Sequence, residues 1–152
     1  MIRDTINKQI GDALKAHDEL RLMTLRGLSS ALNYEFINKQ HELSEDEEIA
    51  VVRREVKKRN DTVETYKSLQ EKDPAHVQEK IDKELAEITI LKEFLPPDMD
   101  EKVLQKLVDD AISEVGASSI KDMGRVMGIV KTKAGNAADG SKIAELVKAK
   151  LQ

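Results

Sequence analysis

Apolar residues return every three or four positions along almost the whole 152-residue chain, and nowhere do they alternate in the period of two that a half-buried strand requires. That periodicity allows one class of fold, an all-α protein whose helices each bury one face. The first helix carries Ile6, Ile10, Ala13 and Leu14 and runs to about Ala16, where His17-Asp18 supplies a break and a new N-cap. The second spans Glu19 to Lys39 on Leu22, Leu25, Leu28, Leu32 and Phe36, with Gly27 tolerated as a small residue. Ser44-Glu45-Asp46-Glu47 reads as a capping box that opens the third, since the Ser hydroxyl and the Glu47 carboxylate can each serve the other's backbone amide. Its stripe of Ile49, Val52, Val56, Val63 and Tyr66, interrupted by Arg59, predicts a long helix to about Gln70. Asp73-Pro74 then places a cap before a proline in the first turn, and Val77, Ile81, Leu85, Ile88 and Leu91 carry the fourth apolar face toward Phe94-Leu95.

Pro96-Pro97 is the strongest boundary, because proline clashes with the preceding turn and restricts the residue before it. Three shorter helices follow, over about 101–115, 120–133 and 141–151, the first turning Leu104, Val108, Ile112 and Val115 inward. Gly116 and Gly135 stand where left-handed C-caps are expected, and Ser119 and Asp139 where N-caps are. The expected organisation is an N-terminal multi-helix bundle of long helices, residues 1–95, followed by a small three-helix C-terminal module, residues 96–152.

The composition narrows the chemistry. The absence of Cys removes thiolate metal sites, cysteine nucleophiles and disulfides, and fits a cytoplasmic location. No run of about 18 apolar residues is available to span a bilayer, and MIRDTINKQIGDALK lacks the apolar centre of a signal peptide. His17, His41 and His76 fall near predicted connections, outside any HExxH or paired ExxH pattern, so no metal site is expected. No nucleophile elbow or catalytic grouping emerges, and neither a catalytic residue nor a cofactor nor a small-molecule substrate is assigned. Residues 135–142, GNAADGSK, have the glycine spacing of a phosphate loop, but Ser and Lys stand in reversed order after a helix; they read as a turn capped by Asp139.

Charge is distributed unevenly. Residues 117–152 hold 7 Lys and Arg against 3 Asp and Glu, whereas the remainder holds 18 against 26, so a basic end follows an acidic body. A second basic stretch puts five cations in the seven residues 53–59. Arg53 with Lys57, and Arg54 with Lys58, form two rows that could follow a phosphate backbone, although an ordinary solvated helix face explains them more simply. With no Trp, and with Phe36 and Tyr66 on apolar stripes, few aromatics remain to stack on bases; an RNA ligand would be met through its phosphates and shape.

Three ordered segments of the C-terminal module carry a family resemblance: Ile112-Ser113-Glu114-Val115-Gly116-Ala117-Ser118-Ser119, Lys121-Asp122-Met123-Gly124-Arg125-Val126-Met127-Gly128, and Ala138-Asp139-Gly140-Ser141. They resemble the motifs of the GatB/YqeY family. The N-terminal part, with LSEDEEIAVVRREVKKRNDTVETY and a later FLP, is similar to freestanding YqeY-like members, which extends the resemblance over nearly the whole chain. In that family the module also forms the tail of the GatB subunit of the amidotransferase that converts Glu-tRNA or Asp-tRNA to the amide, and similar modules are attached to some bacterial glutaminyl-tRNA synthetases. The resemblance implies a non-catalytic accessory that binds tRNA or a tRNA-handling enzyme, because the kinase-like body of GatB has no counterpart here and its carbon–nitrogen ligase activity does not carry over. Matching or adjacent cations, Lys121, Arg125, Lys131, Lys133 and Lys142, are the implied phosphate contacts. Gly124 and Gly128 are expected to permit close helix packing with Met123 and Met127 on or beside the buried face, and Asp122 to complement a helix N-terminus. The alternative is a protein-interaction adaptor that binds no nucleic acid.

Overall fold

The computed structural model describes residues 1–69 and 73–152, and these form seven α-helices and no strand. They divide into two compact units, Met1–Leu95 and Pro96–Gln152.

The first unit holds α1 (Ile2–Lys15), α2 (Glu19–Lys39), α3 (Glu45–Leu69) and α4 (Pro74–Lys92). The predicted end at Gln70 lies outside the described residues. α1 pairs with α2 and α3 with α4, while α2 also packs on α3 and α4. Side chains fix the starts of these helices. Asp18 accepts the Arg21 N–H at 2.9 Å, Asp73 accepts that of His76 at 3.4 Å ahead of Pro74, and the Ser44–Glu47 box closes with bonds of 2.9 and 3.3 Å. α1 has no such local cap. The fully buried Glu48 of α3 reaches across and accepts the N–H groups of Ile2 and Arg3, at 2.5 and 3.2 Å.

The core of this unit joins Ile6, Leu28, Leu32, Val52, Val56, Val63, Val77, Ile81, Ile88 and Leu91 with two residues outside the predicted stripes, Leu43 and Val51. Two predicted core residues, Leu14 and Leu85, are exposed instead. The reason for Leu85 lies in the packing of α4 on α3. Arg59, the interruption in the α3 stripe, turns inward and binds Glu87 at 2.8 Å and Glu55 at 3.1 Å, with all three side chains mostly buried. Half-buried Glu84 feels the same group of charges. This level of the α3–α4 contact is thus ionic, and Leu85 lies to one side of it.

The second unit holds α5 (Glu101–Val115), α6 (Met123–Ala134) and α7 (Gly140–Leu151), with α6 packing on both others. Leu104, Val108, Ala111, Val126, Val130, Ala134, Ala138, Ile143 and Val147 form its separate core, and Met123 and Met127 pack beside it. Gly116 ends α5 in the left-handed conformation at φ 61, ψ 36, and the Ala117 amide returns to the Ile112 carbonyl at 3.0 Å. Gly135 also has positive φ, but its ψ of −135 leaves the left-handed helical region for backbone that only glycine adopts readily, and it leads into a 3-10 turn, Gly135–Ala137. Asp139 caps α7 through the Ser141 amide at 2.7 Å. Ser119 does not cap with its side chain; a 3-10 turn, Ile120–Asp122, precedes α6, which therefore begins at Met123 rather than Ile120. No helix among the described residues is long and apolar enough to cross a membrane.

Candidate nucleic-acid interface

α6 is amphipathic. Val126, Val130 and Ala134 are buried, which turns Gly124, Arg125, Gly128, Lys131 and Thr132 outward. Lys121, exposed in the 3-10 turn, stands at the N-terminal end of that face. Three of the five sequence-predicted cations, Lys121, Arg125 and Lys131, are thereby gathered along one helix.

Between them the surface is bare. A Cβ built on Gly124 or Gly128 would meet nothing within 4 Å, so these glycines do not serve the close helix packing expected of them within the chain. With a spacing of four residues they lie about 6 Å apart along the axis and leave the backbone of α6 uncovered on its outer side. Glycine inside a helix costs about 1 kcal/mol relative to alanine, a cost that no contact within the chain explains here.

The cations differ in how tightly the protein itself holds them. Arg125 pairs with Asp122 at 2.5 Å, and Asp122 in turn accepts the Ser118 amide at 3.2 Å. The Arg125 guanidinium first, and the Ser118 amide second, hold the Asp122 carboxyl below the usual range. Asp122 thus anchors an arginine from the 3-10 turn that precedes α6. Among the described residues Lys121 and Lys131 have no carboxylate partner, and the Lys131 chain lies against Gly140, where a Cβ would meet its Cε at 3.4 Å. Lys133 faces α5 and pairs with Glu114 at 2.7 Å. Lys142 stands on α7 at the rim of a small notch with Met99, Glu101, Leu104, Glu145 and Leu146, and shares no helix with the others.

In the first unit the basic stretch of α3 is matched charge for charge over most of its length. Arg54 pairs with Glu35, Lys57 with Asp61 at 3.1 Å and Lys58 with Glu55 at 2.6 Å, while Arg53 is half-buried. A phosphate approaching these rows meets cations already neutralised by neighbours. Among the described residues no group of His, Asp or Glu is arranged to hold a metal ion.

Sequence reasoning located the outward cations of α6 but not the open floor between them. The glycine spacing was the available signal, and it reads equally well as internal packing until the neighbours are known. No curated protein matches the chain. The sequence profile of the family described as Yqey-like protein matches residues 3–151, spanning both helical units, and the chain belongs to that family.

Proposed function

We propose that this chain is a non-catalytic helical accessory that binds tRNA through the outward face of α6. The observation that carries this reading is the gathering of Lys121, Arg125 and Lys131 around the uncovered backbone at Gly124 and Gly128. Cations on one helix attract a phosphate backbone, and a glycine floor lets a strand approach more closely than any side chain would allow. The absence of Trp from the chain favours backbone and shape recognition over base stacking. A cytoplasmic location, where tRNA is found, accompanies this reading. Lys142 belongs to the same basic end and adds to its field, whereas Lys133, paired with Glu114, and the α3 rows contribute little because they are paired within the protein.

Titration of labelled tRNA against the full chain tests the proposal. Three phosphate contacts give a slope of about −2 to −3 in log K against log salt. Replacing Lys121, Arg125 and Lys131 together by Glu should abolish binding while the helical circular dichroism persists. Binding that ignores both salt and the triple replacement, or no binding at low salt, sinks the reading and favours the protein-interaction adaptor.

A further inference from the structure

Of the three cations on the α6 face, Arg125 is the one tied to a carboxylate among the described residues. Its Nη2 donates to Oδ1 of Asp122 at 2.5 Å, and the other oxygen of that carboxylate accepts the Ser118 N–H at 3.2 Å. The anchor is itself fixed from behind. The 3-10 turn that carries Asp122 closes through the Asp122 amide on the Ser119 carbonyl at 3.0 Å, and two residues before Ser118 the left-handed Gly116 ends α5. A run of bonds thus leads from the end of α5, through the connection, to the guanidinium. The two charges also stand at different depths. The Asp122 side chain is 20% exposed and that of Arg125 63%, so the anion is set back and the cation stands forward. A phosphate arriving at this face reaches the guanidinium before the carboxylate.

We propose that Asp122 is a positioning residue that holds the Arg125 guanidinium forward as the phosphate-binding fork of the α6 face, so that an acid strengthens the grip on a polyanion. The inference rests on the reading of α6 as a tRNA surface and gives its cations unequal parts. A guanidinium carries its N–H donors in a planar fork, and the bond to Asp122 uses one of them, which leaves the rest for phosphate oxygens. A free arginine surrenders much of its rotamer freedom on binding, and one already held surrenders less. Arg125 is therefore the oriented contact, whereas Lys121 and Lys131, compact charges on flexible stems, supply field. The Asp122 carboxyl, held below the usual range by Arg125 first and by the Ser118 amide second, stays ionised at neutral pH.

The sign of one substitution separates an anchor from a field. Asp122→Asn keeps an oxygen for the Ser118 amide and removes a negative charge beside the ligand, so charge by itself predicts tighter tRNA binding. Loss of the anchor predicts binding about three- to tenfold weaker, the range for immobilising one long side chain on association. The slope of log K against log salt should also shrink by about one, because a phosphate contact goes with it. Arg125→Lys should lose as much, and adding it to Asp122→Asn should cost little more, since both remove the same contact. The anchor is measured without RNA. In the full chain the Arg125 side-chain Nε should show a heteronuclear NOE near that of the backbone, and in Asp122→Asn that of a mobile side chain, with helical circular dichroism unchanged. Asp122→Asn binding as tightly as the unsubstituted chain, or more tightly, would overturn the positioning role and leave the α6 surface standing. Weaker binding at an unchanged salt slope, or an Arg125 Nε as mobile before the substitution as after it, would overturn it too. No tRNA binding by the unsubstituted chain at low salt is a different failure, which removes the α6 reading and this inference together.

Discussion

Single residues here do work that their type alone does not announce. Glu48 is an acid with no exposed surface, and it caps the start of α1 from outside that helix. Replacing it by Ala leaves two amides without an acceptor, and the urea midpoint should fall by an amount equivalent to about 2–3 kcal/mol. Glu48→Gln, which keeps one acceptor oxygen, should lose less. Gly124 and Gly128 predict a change in the opposite direction. Nothing surrounds them, so Gly124→Ala and Gly128→Ala should each raise stability by about 0.5–1 kcal/mol in a thermal or urea melt. If α6 meets tRNA, the same variants should bind it more weakly, and a gain of stability combined with a loss of affinity separates a contact surface from a structural glycine. Gly135 differs from both. Its φ of 55 and ψ of −135 make Gly135→Ala destabilising by about 1–3 kcal/mol despite the open space around it.

At the level of helices, the pairing of α3 with α4 is the place where sequence patterning and structure part. The helices themselves were legible: their caps at Asp18, Ser44, Asp73 and Asp139 and their breaks lie in local chemistry, and local chemistry is visible in sequence. What could not be read is which polar residues turn inward, since Arg59 on a stripe looks the same whether it reaches solvent or the two carboxylates of Glu55 and Glu87. The cations of α6 were visible for the same local reason. The pairing of Lys133 with Glu114, and the open side of Gly124, depend on where α5 lies. Removing Arg59 tests the ionic layer. Arg59→Ala leaves Glu87 without its cation and Glu55 with Lys58 alone, and should cost about 2–4 kcal/mol by urea denaturation. Protonation gives a second test. Burial pushes the Glu55 carboxyl up, but Lys58 and Arg59 together hold it below the ordinary range, and Arg21 does the same for Glu93 against a smaller burial effect. A carboxyl lowered in the folded state contributes stability that is present above its unfolded value of about 4.3 and lost as pH falls through its folded one. The urea midpoint should therefore decline as pH drops below about 4.5. Glu84 has the opposite sign, raised by burial first and by Glu87 second, so its ionised form opposes folding at neutral pH. Glu84→Gln should raise the urea midpoint at pH 7, with the gain vanishing below about pH 4.

Across the whole molecule, two separate sets of buried residues meet the demand for a core. One lies within Met1–Leu95 and the other within Pro96–Gln152. The second set is complete without any residue from the first, which predicts that the fragment 96–152 alone gives a helical circular dichroism spectrum and a cooperative melt of low midpoint. The first unit has no such independence among its parts. The two bonds that finish α1 span 46 and 45 residues, so its first turn cannot close until α3 has been made and placed. During synthesis α1 emerges before α3, whose Glu48 it waits for, and so its start is among the later parts of this unit to become permanent. Until Glu48 arrives, the first amides of α1 have no side-chain acceptor of their own, and that end of the helix frays.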